Sequence, residues 1–206
     1  MPTLNTFGSA RGFGRAGAAK PNQVTGLTAT NVGSGRAYNN GRIDLSWSAP
    51  ANNGAPITGY QVERSLDNSG WTTIAASNAG TTYSDTGLSS NQIYYYRVSA
   101  INAVGTGPLS TAANATSTTV PQAPTIGTAS RTNNTTVSLT FTAGANGGSA
   151  ITSYTATSSP SISLTTTGTS SPLTVTGTYA ANTAYTFTLI ASDQPRISIV
   201  NFFIVK

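Results

Sequence analysis

The sequence predicts an all-β protein: two tandem β-sandwiches behind an extended N-terminal tail. Composition is the first ground. Only 7% of the 206 residues are charged while 37% are hydrophobic, against roughly 25% charged in an ordinary soluble domain. The balance is rich in Thr, Ser, Asn and Gly, which suit strands and turns. The second ground is an internal repeat. Ile43-Asp44-Leu45-Ser46-Trp47 returns as Val137-Ser138-Leu139-Thr140-Phe141, and Ile57-Thr58-Gly59-Tyr60 returns as Ile151-Thr152-Ser153-Tyr154, each 94 positions on (137 against 43, 151 against 57). Tyr94, Tyr96, Val98 and Ala100 match Tyr185, Phe187, Leu189 and Ala191, 91 positions on (185 against 94). The third ground is that these positions alternate with polar ones at period two, as a strand with one buried face requires, while no segment carries a convincing helical period. A unit of this length is too long for a solenoid repeat and right for a duplicated domain. The division that follows is a tail over residues 1–20, one sandwich over 21–118, and a diverged copy over 119–206.

Taken in order, the first unit offers strands at Val24 to Thr30, Arg42 to Ser48 and Ile57 to Ser65. Shorter ones follow at Trp71 to Ala76 and Thr81 to Ser84, then a long one at Gln92 to Asn102 and a last one at Leu109 to Ala115. The runs Asn39-Asn40-Gly41, Asn52-Asn53-Gly54 and Gly105-Thr106-Gly107-Pro108 punctuate them as turns. Seven short strands at this spacing argue for two packed sheets. In the second unit the chain runs from Ser192-Asp193-Gln194-Pro195-Arg196 into an apolar end, Ile197 to Lys206. That end reads as a closing strand, an interface strand for another chain, or an altered terminus, and it is too short to span a bilayer.

The run Leu45-Ser46-Trp47-Ser48-Ala49-Pro50, followed by Ile57-Thr58-Gly59-Tyr60-Gln61-Val62, resembles strands B and C of a fibronectin type III domain. Gly87-Leu88 followed by Tyr94-Tyr95-Tyr96-Arg97-Val98-Ser99-Ala100-Ile101-Asn102 resembles its E–F corner and strand F. The resemblance implies that Trp47 is the core tryptophan and Tyr94 the corner tyrosine, its hydroxyl bonded to nearby backbone. In the second unit Phe141 stands in the tryptophan's place and Tyr185 keeps the corner. Tyr60, Tyr96 and Tyr154 are expected in the cores with Trp47, Tyr94, Phe141 and Tyr185.

Catalysis needs groups that move protons, attack or hold a metal, and few are here. There are no cysteines and no histidines, which excludes disulfides, thiolate metal sites and imidazole chemistry. The five carboxylates form no recurring motif: Asp44 alternates with Ile43 and Leu45 and should face solvent, Glu63 neighbours Arg64, and Asp67 lies in a turn. Asp67, Asn68 and Asp85 are the nearest approach to a calcium set, and their spacing matches no known loop. No glycine-rich phosphate loop opens a helix. The reading is therefore a non-enzymatic protein with no catalytic residues, no metal site and no cofactor. No stretch of 18 apolar residues indicates a membrane span.

The net charge of +5 is unevenly placed. Arg11, Arg15 and Lys20 give the first 20 residues +3 with no acid, while four arginines balance Asp44, Glu63, Asp67 and Asp85 over residues 21–120. The tail Phe7-Gly8-Ser9-Ala10-Arg11-Gly12-Phe13-Gly14-Arg15-Ala16-Gly17 carries isolated Phe and Arg anchors on a glycine backbone, so Phe7, Arg11, Phe13 and Arg15 are expected to dock into a partner, the alternative being a disordered leader. Three charges are too few to favour nucleic acid. No apolar segment behind these charges reads as a secretory signal. Cysteine-free sandwiches of this composition behind such a leader are similar to virion proteins of tailed bacteriophages. That resemblance implies a structural component of tail fibre, baseplate or capsid decoration, assembled in the host cytoplasm. Its partners would be other virion proteins in a symmetric assembly, with host-surface glycans as weak loop contacts. The alternative is a carbohydrate-binding or spacer module of a bacterial extracellular protein or adhesin.

Overall fold

The computed structural model describes residues 17–33, 35–160, 166–193 and 197–205, the last stretch by its backbone alone beyond Ile197. Every regular element in it is a strand. In the first unit β1 (Thr25–Asn31), β2 (Gly41–Ser48) and β5 (Thr82–Leu88) make one antiparallel sheet, ordered β1-β2-β5. The facing sheet is built from β3 (Ile57–Ser65), β4 (Thr72–Asn78) and β6 (Gln92–Asn102), together with β7 (Gly105–Thr106) and β8 (Ala113–Ser117), which both pair with β6. The second unit repeats this plan. The strands β9 (Thr125–Asn133), β10 (Thr136–Thr142) and β13 (Leu173–Thr176) form a sheet ordered β13-β10-β9. Opposite it, β11 (Ser153–Ser159), β12 (Thr166–Gly168), β14 (Tyr185–Ser192) and β15 (Ile197–Val205) are ordered β12-β11-β14-β15.

Period-two patterning places the cores. Along β2 the side chains of Ile43, Leu45 and Trp47 are buried while those between them are not, and β6 buries Tyr94, Tyr96, Val98 and Ala100. With Tyr60, Val62 and Leu88 these form one apolar cluster. A second cluster holds Val137, Leu139, Phe141, Tyr154, Tyr185, Phe187 and Leu189. Each wholly buried aliphatic or aromatic side chain stabilises its sandwich by roughly 1.5–3 kcal/mol relative to exposure. Trp47 meets Tyr60 edge to face at 5.4 Å between ring centroids, and Phe141 meets Tyr154 at 4.6 Å in the equivalent place.

Three elements depart from the sequence expectation. The last strand of the first unit, expected at 109–115, is β8 at Ala113–Ser117. Before it, Ser110 takes part in two bonds with Val98: its N–H donates to the Val98 carbonyl (2.8 Å) and its hydroxyl accepts the Val98 N–H (3.0 Å). That hydroxyl occupies the place of a backbone acceptor, so the regular ladder begins only afterwards. Gly105–Thr106, expected as part of a turn, pairs with Ile101 and Asn102. In the second unit Ile151 and Thr152 precede β11 rather than opening it, although the Thr152 N–H still donates to the Ser192 carbonyl (2.7 Å). The apolar end takes the closing-strand reading, since β15 pairs antiparallel with β14 from Ser192 opposite Ile197 to Tyr185 opposite Val205.

Candidate functional site

The expected docking residues Phe7, Arg11, Phe13 and Arg15 lie outside the described residues. What is described is how the chain reaches the first sandwich from that side. Residues 19–23 cross the pole formed by the loop after β2 and the loop after β6. Ala19 N–H donates to the Asn53 carbonyl (2.9 Å) and Asn22 N–H to the Ala51 carbonyl (3.0 Å). The Asn53 side-chain amide donates to the Lys20 carbonyl (2.8 Å), and the Gln23 amide to the Leu109 carbonyl (2.7 Å). Asn53 takes φ 52° and Gly54 φ 87°, the left-handed region that Asn and Gly tolerate best. Gly107 is needed for another reason: a Cβ there would stand 2.5 Å from the Pro21 carbonyl oxygen.

Asn102 organises this pole. Only 4% exposed, it donates to the carbonyls of Ala19 (2.7 Å) and Asn52 (3.1 Å) and accepts the Val104 N–H (2.9 Å). One side chain thus joins the leader to both loops. Sequence reasoning passed over it, although the signal was present. Asn102 falls in phase with Tyr94, Tyr96, Val98 and Ala100, and a polar residue on a core-facing register must be satisfied internally.

The carboxylates are tied to their own neighbourhoods. Asp85, weighed with Asp67 and Asn68 for calcium, is buried. Its Oδ2 accepts from the Tyr96 hydroxyl (2.9 Å), and both of its carboxylate oxygens accept from Arg64 Nη1 (3.2 and 3.1 Å) in an ion pair. Burial, reinforced by the Asp85 charge, pushes the Tyr96 phenol far above its ordinary range. Asp67 caps its own turn, accepting from the Ser69 hydroxyl (2.7 Å), the Ser69 and Gly70 N–H groups (2.9 Å each) and the Ser65 hydroxyl (2.9 Å). These donors, the Ser69 hydroxyl first, hold its carboxyl well below the usual carboxylate range. Asp44, half-buried rather than open to solvent, is chelated by Arg42 and bonded by Ser84. Glu63 pairs with Arg97 across the β3–β6 ladder rather than with its neighbour Arg64, and the Arg97 guanidinium stacks 4.2 Å over the Trp71 ring. Asp193 is also buried. Among the described residues no three His, Cys, Asp or Glu side chains gather where they could hold a metal ion, and no helix is long and apolar enough to cross a membrane.

The aromatic residues singled out from the sequence lie in the two cores. Trp47, Tyr60, Tyr94, Phe141, Tyr154 and Tyr185 are each 7% exposed or less, and Tyr96 is wholly buried. The Tyr94 hydroxyl accepts the Ser89 N–H (3.0 Å), and the Tyr185 hydroxyl accepts the Ala180 N–H at the same distance. Each bond pins the turn that leads into the long strand. Tyr94 also forms one wall of a shallow groove with Arg64, Leu66, Asp67, Gly70 and Thr72.

Comparison with known proteins places this geometry. The Fibronectin type III domain profile matches residues 22–116. Over 67 residues the chain is 40% identical to an amylopullulanase of Thermoanaerobacterium saccharolyticum, a match that takes in 32% of this chain and 5% of that enzyme. A solved structure titled "Structure of FN3tt mut" aligns over 48% of this chain and 97% of its own, at 22% identity and a TM-score of 0.39. The strand order around Trp47 and the corner at Tyr94 lie within the stretch that the profile matches: over residues 22–116 this all-β chain is similar to a fibronectin type III domain.

Proposed function

We propose that the chain is a non-catalytic structural protein of a tailed-bacteriophage virion, attached to the particle through residues 1–20, with the two sandwiches projecting in series. The observation that carries this reading is the path of the chain through the first sandwich. The long strand β6 has Asn102 at the pole crossed by residues 19–23, and Gln92 at the other end, opposite Ser117 where the chain leaves. Eleven residues of strand separate the two poles by about 35 Å. A leader held at one pole and a second sandwich leaving from the other is the arrangement of a projecting spacer. Other virion proteins would be the partners, in a symmetric assembly, and the loops would make weak contacts with neighbouring subunits or host-surface glycans.

A second reading has its own observation. The 67-residue match to an amylopullulanase favours a spacer or carbohydrate-binding module of a bacterial extracellular protein. Particle assembly with and without residues 1–20 tests the first reading. Loss of the truncated chain from particles is the expected result, and normal incorporation overturns attachment through the leader. Strong, selective retention of the full chain on a polysaccharide array would favour the second reading.

A further inference from the structure

The segment between the sandwiches, residues 118–124, is gripped from both sides. On the side of the first sandwich, Asn31 at the end of β1 holds Thr118 twice: its side-chain oxygen accepts the Thr118 N–H (3.0 Å) and its amide donates to the Thr118 hydroxyl (2.6 Å). The Val120 N–H donates to the Arg36 carbonyl (2.9 Å). The Thr119 hydroxyl bonds the Ser90 hydroxyl, and Ser90 is itself fixed by Asn39 through its N–H (3.0 Å) and its hydroxyl (2.9 Å). On the side of the second sandwich, the Thr119 N–H donates to the Gly147 carbonyl (2.9 Å) and the Gln122 N–H to the Ala145 carbonyl (2.8 Å). Thr119, fully buried, therefore bonds one sandwich through its backbone and the other through its side chain.

Three glycines set the closeness of fit. A Cβ on Gly33 would stand 2.2 Å from the Thr118 hydroxyl and 2.6 Å from its carbonyl oxygen, and one on Gly147 would stand 2.5 Å from the carbonyl oxygens of Thr119 and Val120. A Cβ on Gly148 would meet the Thr118 methyl at 3.0 Å and the Asn91 nitrogen at 3.5 Å. The loop of the second sandwich thus reaches the turn that opens β6 in the first.

The repeat separates what is general from what is special here. The leader makes the same pair of backbone bonds to the first sandwich that the linker makes to the second. Ala19 and Asn22 bond the carbonyls of Asn53 and Ala51, as Thr119 and Gln122 bond those of Gly147 and Ala145. Docking of the incoming segment on the loop after the second strand is therefore a property of the sandwich itself. The grip of Asn31, Arg36, Ser90 and Gly33 is the addition that ties the outgoing chain to the sandwich behind it. A linker held by only one neighbour leaves domain motion as the default.

We infer that this junction is a clamp fixing the orientation of the two sandwiches, so that the chain behaves as one stiff rod. The inference stands apart from the virion reading, because it concerns the isolated chain. Residual dipolar couplings and small-angle scattering on the full chain test it. The wild type should give one common alignment tensor for both sandwiches, and separate tensors in the wild type would overturn the clamp. The double variant Asn31→Ala/Ser90→Ala should lose the common tensor and broaden the distribution of end-to-end distances, while both sandwiches keep dispersed amide spectra. A common tensor retained in that variant would overturn the role given to these side chains. Should the double variant unfold the first sandwich, Gly148→Ala reads the same quantity from the other side, and retention of the common tensor there would equally count against the clamp.

Discussion

The network of Asp85, Tyr96 and Arg64 offers the most quantitative test of how the first sandwich is held together. Tyr96 is wholly buried, and its hydroxyl reaches Asp85 at 2.9 Å. Replacing Asp85 by Ala leaves that hydroxyl with no acceptor, which costs about 1–3 kcal/mol, and removes a hydrogen bond to a charged group worth about 1.5–3 kcal/mol. These two figures describe overlapping losses, and Arg64, with a third of its side chain exposed, regains water and contributes little. The expected loss is therefore about 3 kcal/mol, a large share of the roughly 5–15 kcal/mol that a domain possesses. With a urea dependence of about 1.5 kcal/mol per molar, the midpoint should fall by about 2 M. Trp47 and Trp71 both lie in the first unit, so tryptophan fluorescence follows this sandwich and not its neighbour. Asp85→Asn, which keeps an acceptor for Tyr96, should cost about 1 kcal/mol. Adding Tyr96→Phe to Asp85→Ala should recover stability, because it deletes the orphaned hydroxyl. A midpoint shift under about 0.5 M for Asp85→Ala, or a further loss on adding Tyr96→Phe, would refute the reasoning.

Two other outcomes follow from the same geometry. The Asp67 carboxylate, held low by the Ser69 hydroxyl and the surrounding donors, stays ionised in the fold at pH values where the unfolded chain has taken up its proton. Its contribution to stability is therefore complete above the ordinary carboxylate value and is lost as pH falls toward the depressed one. An NMR titration should place its midpoint well below that of an unstructured aspartate, and Asp67→Asn should be less stable than wild type at neutral pH with the difference shrinking in acid. Trp47→Phe copies the residue found at Phe141. It sacrifices ring volume in the core, yet removes a buried indole N–H for which no acceptor is found among the described residues. The net cost, read from urea unfolding followed through Trp71, should be about 1–2 kcal/mol, whereas Trp47→Ala should cost about 3–5 kcal/mol.

The sandwich architecture was legible because the chain writes it twice. Residues such as Ile43, Leu45 and Trp47, and Val137, Leu139 and Phe141, report burial through period two alone, and turns rich in Asn and Gly mark where each strand must stop. Strands with little apolar content escaped that reading. The strand β9 keeps most of its side chains in water, so its pairing is decided by backbone bonds to β10 that no side-chain pattern announces. The start of β8 was misjudged because a serine hydroxyl took over one rung of the ladder, and composition does not say where a hydroxyl will point.

The sequence by itself determined the fold class, the duplicated plan and the core-facing positions of the repeated strands, since all three depend on the spacing of apolar positions along the chain. Leu173, Val175 and Tyr179 of the second core carried no such repeat signal. Only the tertiary structure decided where the polar groups go. Asp85 became the buried acceptor of Tyr96, Glu63 paired with Arg97 and not with the adjacent Arg64, and Asn102 joined the leader to two loops. It also decided that Thr119 answers to both sandwiches at once. Hydrogen bonds and ion pairs are short and directional, so their partners are set by which strands lie side by side, and that is fixed only when the sheets have formed.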